Sequence, residues 1–235
     1  MAKSIAVRVA AKNNAVIRRM PKHCGIRPRS IPIINITTGQ LLLDELSELQ
    51  ELVDYRPGVM SEALAQRGNL DTYWAGLLMY NKNSHPATYR LTQIALHVAQ
   101  FQAMHYKFNP GVPPNSPPNT LPLPPRPRPS QLSPSLMPPI DVPGHASYPS
   151  GHATESYLLA GMLAKIVPAA ANLTDPNSAP LLRLAERVAR NREVMGLHYP
   201  SDSKAGKYLG AQTLPLLLHC PSVVKLLGVA QGEWA

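Results

Sequence analysis

The feature that most restricts the fold is where proline falls. Fifteen of the 26 prolines lie between Pro110 and Pro149, a stretch whose only charged side chains are Arg126, Arg128 and Asp141. Proline lacks a backbone N–H and fixes φ, so such a run is neither a helix nor the interior of a sheet. It must be a stiff, extended loop, at 110–149, between two stretches in which proline is sparse.

Both of those stretches show helical periodicity. Upstream, QLLLDELSELQELVDY places Leu42, Leu46, Leu49 and Val53 on one face, after Thr37 or Thr38 as a cap and before Pro57-Gly58 as a stop. A second helix is expected from about Leu70 to Lys82. A third, Ala87 to Lys107, carries Leu91, Ile94, Ala95, Val98 and Phe101 on neighbouring turns. Downstream, helices are expected over His152 to Ile166, Ala179 to Leu197, Ser201 to Leu218 and Pro221 to Val229. No segment alternates with the period of two that a strand requires. The reading is all-α, a single-domain helical bundle of six to eight helices.

Net charge misleads here. Eight of the 23 Lys and Arg (Lys3, Arg8, Lys12, Arg18, Arg19, Lys22, Arg27, Arg29) stand between Met1 and Ser30 with no acid, leaving fifteen against fourteen acids afterwards. The pI near 9.7 therefore belongs to a basic N-terminal arm, residues 1–36, attached to a nearly neutral domain, residues 37–235. Specific nucleic-acid binding is not indicated, and the arm and amphipathic helices are compatible with a homodimer. No apolar run reaches the ~18–20 residues of a transmembrane helix. The basic start lacks a secretory apolar core, so the expectation is a soluble, cytoplasmic protein. Cys24 and Cys220 are too few for a disulfide framework or a zinc site and are expected as reduced thiols.

Three clusters carry chemistry: Lys107 with Arg126-Pro127-Arg128-Pro129, then Tyr148-Pro149-Ser150-Gly151-His152, then Asn191-Arg192 followed by His198 and Asp202. In the second, Gly151 admits close backbone approach. The helix beginning there aims free N–H groups at an anion, beside the Ser150 hydroxyl and the His152 imidazole. In the third, one helical turn between His198 and Asp202 lets the carboxylate meet the imidazole, fix its tautomer and leave its other nitrogen as a nucleophile. Asp202 has a structural alternative, as a helix cap. His145 is either a second acid or base above the pocket or a loop histidine bonded to backbone. His97 and His105 read as satisfied core or surface histidines, and Met79, Met104 and Met162 as packing.

These clusters resemble the three-part signature of the type 2 phosphatidic acid phosphatase superfamily, which includes soluble bacterial acid phosphatases and vanadium-dependent haloperoxidases: a lysine followed by Arg-Pro, then Pro-Ser-Gly-His, then Arg-x5-His-x3-Asp. Pro149 to His152 matches, as do Arg192, His198 and Asp202. The first part departs from the pattern, because twenty residues separate Lys107 from Arg128 where the family keeps the two close. The proline-rich stretch looks inserted there. Arg128 is preferred for the arginine because Arg128-Pro129-Ser130-Gln131 is similar to the family's continuation; Arg126 stays open as the occupant of either place.

The resemblance implies the acid phosphatase/vanadium haloperoxidase fold and a metal-independent phosphatase with no cofactor. Lys107, Arg128 and Arg192 would clamp a phosphate, helped by Ser150 and Gly151. His198 would attack phosphorus to form a phosphohistidine, Asp202 would orient it, and His152 would protonate the leaving alcohol; His145 and Arg126 are secondary candidates. The alternative it implies is a haloperoxidase, with vanadate bound to His198 as cofactor and halide oxidised by hydrogen peroxide. His198-Tyr199-Pro200-Ser201-Asp202, followed by Ala205-Gly206, looks like the phosphatases. The partner is a small phosphorylated substrate or oxyanion, and lipid, nucleotide and sugar phosphates all remain open.

Overall fold

Leu42, Leu46 and Leu49 do share one face of a helix, α1 (Gly39–Glu51), and Leu49 is fully buried. The structure is a computed structural model that describes residues 39–111, 118–167 and 179–235. The basic arm at 1–36 lies outside them.

Helix continues where a stop was expected. After a 3-10 turn (Val53–Tyr55), α2 spans Arg56–Ala65 with Pro57 in its first turn. There the missing N–H costs no hydrogen bond, so a residue that reads as a terminator acts as an initiator. Buried Arg56 then ties α2 across the molecule: Nε donates to Val194 O at 2.9 Å, Nη1 to Met137 O at 3.0 Å and Nη2 to Leu136 O at 2.7 Å.

Helix α3 (Thr72–Leu78) is shorter than expected, closing on Met79 at φ 58°, and because it is the left-handed cap Met79 is exposed rather than packed as expected. Helix α4 (Pro86–Phe108) is the longest. The described part of the proline-rich stretch is extended apart from two single turns, α5 (Pro129–Leu132) and a 3-10 turn (Pro134–Leu136). Helices α6 (Gly151–Ile166), α7 (Pro180–Val194), α8 (Pro200–Leu218) and α9 (Pro221–Gly232) complete the chain. Among the described residues there is no strand, so the all-α reading holds. Nine helices occur there rather than six to eight, because α2 and α5 each carry in their first turn a proline that sequence reading treats as a breaker.

Helix α6 is central, packed on α4, α7 and α8. Its Leu158, Leu159, Met162, Leu163 and Ile166 are all buried, each contributing about 1.5–3 kcal/mol by leaving water. Two glycines set how closely α8 approaches it. A Cβ at Gly206 would lie 2.6 Å from Ser150 O, and one at Gly210 would lie 2.9 Å from Thr154 O. Any larger residue would push the third cluster's helix away from the second's. A smaller core of Leu49, Leu52, Leu136, Val194, Met195, Leu197 and Tyr199 joins α1 and α2 to the α7–α8 turn.

Among the described residues no single helix is long and apolar enough to cross a membrane; only the pair α8 and α9, bent by 93°, passes on length and composition. The expectation of two reduced thiols fails at Cys220, which is disulfide-bonded. The sequence's other cysteine, Cys24, lies outside the described residues. Pairing depends on distance in the fold, which cysteine count does not report.

Candidate functional site

Five pieces of chain line one cavity of about 370 Å³: the segment after α2 from Gln66 to Asp71, α4 down to its last turn with Lys107, the first turn of α6 with Gly151 and His152, the end of α7 with Arg192 and the turn after it with His198, and the proline-rich stretch with Arg128 and His145. The α7–α8 turn depends on Gly196, at φ 71°, where a Cβ would also sit 3.1 Å from Arg56 Nη2. This reversal carries His198 back toward Arg192.

His198 lies in that turn, ahead of α8, so the expected single helical turn between it and Asp202 does not exist. The pair meets through capping. Asp202 Oδ2 accepts from the Tyr199 N–H at 3.0 Å, closing the N-terminus of α8, and the same oxygen faces His198 Nδ1 at 3.2 Å. Cap and imidazole partner are therefore one carboxylate. Burial raises Asp202, but the His198 hydrogen bond and the Arg126 guanidinium outweigh it and hold the group at about 2. With Nδ1–H pointed at Asp202, His198 Nε2 carries the lone pair, and it accepts from Arg128 Nη1 at 3.1 Å. Burial, with Arg128 and Lys107 close by, holds this imidazole neutral down to about 3 despite its carboxylate partner.

His152 is also neutral, pushed to about 3 by burial and then by Arg192, Lys107 and Arg128. Its Nε2 faces Gln66 O at 3.2 Å and must be the protonated nitrogen, which leaves Nδ1 for a ligand. Lys107 Nζ donates to Ala146 O at 2.7 Å and Ser147 O at 3.0 Å, keeping one N–H unspent. Burial and Arg128 bring its pKa down to about 7. Arg128 is held by His145 O at 3.1 Å and Leu197 O at 2.8 Å, and its Nη2 faces His145 Nδ1 at 3.0 Å. Burial and Lys107 keep His145 neutral down to about 4. Arg192 Nη2 donates to Ala63 O and to Gln66 Oε1, while its buried Nε has no partner. An unpartnered buried guanidinium N–H is a donor that an anion oxygen can satisfy.

Two candidate residues are placed elsewhere. Arg126 does not line the cavity and takes neither place left open for it. Its Nη1 donates to Asp202 Oδ1 and Ser201 Oγ, each at 2.7 Å, and its Nη2 to Glu45 Oε2 at 2.8 Å. The guanidinium lies 3.8 Å over the Tyr199 ring. Ser150 is buried behind the cavity wall, where its Oγ caps α6 by accepting from Ala153 N and its own N–H donates to Asp202 O at 3.0 Å. Gly151 does line the cavity, and a Cβ there would meet nothing within 4 Å, so the space beside it is open to a ligand.

Other residues were not anticipated. Gln66, at the end of α2, accepts from Asn191 Nδ2 at 3.1 Å and also holds His152 and Arg192. No motif marks it. Glu45 is buried on α1, where Oε1 accepts the Ser201 N–H at 2.6 Å. It reads as one acid among several on an amphipathic helix. His97, expected as a core or surface histidine, and Met104, expected as packing, line the cavity because the α4 face that carries Lys107 also carries them. Glu155 lines it too, one turn after His152, and burial pushes its carboxyl up to about 7. Its spacing from His152 was the available signal.

Comparison with known proteins bears on this arrangement. Residues 116–225 match the model of the PAP2 superfamily, a stretch that contains Arg128 and the second and third clusters but begins after Lys107. Over 87 residues the chain is 34% identical to a non-specific acid phosphatase of Salmonella typhi, which is 37% of this chain and 32% of that protein. The chain thus spans about a third of the length of the curated relative it matches.

Proposed function

The chain belongs to the PAP2 superfamily through residues 116–225, and from that premise we propose that it hydrolyses phosphate monoesters through a phosphohistidine on His198. The observation that carries the reading is the meeting of three cations and two neutral imidazoles in one cavity, with the Nδ1 side of His198 held by Asp202. The similarity to an acid phosphatase agrees with it.

Lys107, Arg128 and Arg192 bind the nonbridging oxygens, and the unpartnered Arg192 Nε supplies one donor. His198 Nε2 releases Arg128 and attacks phosphorus in line. The P–N bond forms as the P–O bond to the alcohol breaks, while Asp202 stabilises the resulting cationic ring. His152 Nδ1 takes up a proton when substrate binds and gives it to the departing oxygen. His152 is neutral in the free site because burial and three nearby cations disfavour its charge. A bound phosphate offsets those cations, so substrate itself raises the acid's pKa. In the second half-reaction His152 takes a proton from water as the water's oxygen attacks phosphorus, and His198 leaves. Three fixed cations perform the charge neutralisation that a divalent ion performs in other phosphoryl-transfer sites, so no metal is needed.

The test is phosphate release from an aryl phosphate in excess EDTA, with vanadate as inhibitor and with acid- and base-quenched samples examined for a phosphoenzyme stable only to base. His198→Ala is expected to abolish both turnover and the phosphoenzyme. Turnover surviving in His198→Ala, or halide oxidation with vanadate and peroxide in a protein that releases no phosphate, would overturn the reading.

A further inference from the structure

The cavity is larger than an oxyanion needs, and its two halves differ in chemistry. At about 370 Å³ it falls in the ~300–1,000 Å³ range of sites that enclose a whole small molecule. Beyond the cation clamp, the wall is formed by one face of α4, with Gln93, His97 and Gln100, by Arg67 and Asp71 between α2 and α3, and by Glu155 on α6. These groups present acceptors and donors side by side. Gln93 Nε2 donates one N–H to Asp71 Oδ2 at 2.7 Å, which leaves its second N–H and its carbonyl oxygen. His97 Nδ1 faces Gln93 O at 2.7 Å and is therefore the protonated nitrogen, leaving the Nε2 lone pair. Glu155 is half-buried in this wall, and among the described residues its carboxyl has no hydrogen-bond partner. Its position matters most, because Gly151, His152 and Glu155 lie on one face of α6 and His152 is the group assigned to the leaving oxygen. Glu155 therefore stands beside the atoms attached to that oxygen.

The ligand of Glu155 is not the phosphoryl group, which a carboxylate repels. A nucleobase would want an aromatic platform, and no Phe, Tyr or Trp lines the cavity among the described residues. An acyl chain would want a continuous apolar wall, and here Leu70, Leu96, Ala103 and Met104 are interrupted by Arg67, Asp71, Gln93, His97 and Gln100. A hydroxyl-rich alcohol satisfies every group named.

We propose that Glu155 reads the leaving group, hydrogen-bonding a hydroxyl on the carbon framework next to the scissile oxygen, so that the preferred substrates are phosphate monoesters of small polyhydroxylated alcohols, the sugar and polyol phosphates. This rests on the phosphatase reading above. Burial pushes the Glu155 carboxyl to about 7, where it donates as well as accepts, as a hydroxyl partner also does.

The test compares kcat/KM for a hexose phosphate with kcat/KM for an aryl phosphate without hydroxyls, in the wild type, Glu155→Gln and Glu155→Leu. The sugar-to-aryl ratio is expected to fall by roughly tenfold or more in Glu155→Leu and by roughly threefold in Glu155→Gln, which keeps an acceptor. The isosteric glutamine variant carries the test alone if the leucine variant does not fold. A ratio unchanged in the folded variants overturns the proposal, as does a wild-type preference for acyl-lipid or aminoalkyl phosphates. Calorimetric binding of the same hexose phosphate, relative to inorganic phosphate, reads the contact without turnover. Glu155-dependent binding with no phosphate release from any ester sinks the phosphatase reading and keeps the contact; aryl turnover with an unchanged ratio does the reverse.

Discussion

Arg126→Gln isolates the network behind the proposed nucleophile. The wild-type guanidinium bridges Asp202 and Glu45, and the three side chains are only 10%, 0% and 6% exposed. Solvent cannot replace the lost charge, so the variant leaves two buried carboxylates without their cation. Breaking such a pair typically costs about 3–5 kcal/mol. The internal control is Arg67→Gln, which breaks an ion pair to Asp141 whose partners are 56% and 85% exposed, expected to matter by about 0–1 kcal/mol. Urea denaturation of both variants gives the comparison. Combining Arg126→Gln with Glu45→Gln should cost less than the sum of the two, because the second change removes the stranded charge. Activity supplies a separate readout. Asp202 is held at about 2 partly by Arg126, so its pKa must rise in the variant and the acidic limb of kcat/KM must move to higher pH. A merely structural role would lower activity without moving the limb. If Arg126→Gln costs no more than Arg67→Gln, or the limb stays where it was, the argument that Arg126 orients and ionises Asp202 is wrong.

Acid should destabilise the fold well before the carboxylates titrate. His145, His152 and His198 stay neutral in the native state down to about 4, 3 and 3, whereas unfolded histidine takes a proton near ~6.5. Glu155, raised to about 7, acts with the opposite sign and offsets one of the three. The net expectation is a loss of about 3 kcal/mol per pH unit as pH falls below ~6.5; equal urea midpoints at pH 7 and pH 5 would contradict it. Lys107, brought down to about 7 by burial and Arg128, loses its charge as pH rises through that value. Hence kcat/KM should decline above neutrality, and Lys107→Arg should extend the plateau; a wild-type profile flat to alkaline pH would rule out Lys107 as a phosphate ligand. Gly206→Ala places a methyl 2.6 Å from Ser150 O and 2.7 Å from Ala153 Cβ, and should destabilise by about 1–3 kcal/mol in thermal unfolding. An unchanged melting temperature would show that α8 has room to move.

Much of this arrangement was legible in the chain's own order of residues. Leucine spacing located α1, and the proline run marked the extended stretch. The short motifs around His152 and His198 named both imidazoles, Asp202 and Arg192. What was missed shares one cause: the information lies in a neighbour distant in sequence. Pro57 starts a helix whose Arg56 finds acceptors at Leu136, Met137 and Val194. Arg126 and Arg128 have nearly the same local context, yet one meets Glu45 and Asp202 while the other lines the cavity.

Local sequence therefore settles which groups can ionise, donate or attack, since that chemistry belongs to each side chain and its immediate spacing. It also settles the helical class, because periodicity is a property of neighbours along the chain. Only the tertiary structure decides which charges meet and at what pKa. Desolvation and Coulomb energy depend on distances through space, and these exist only once α4, α6 and α8 have packed close enough for Lys107, His152 and His198 to share one cavity.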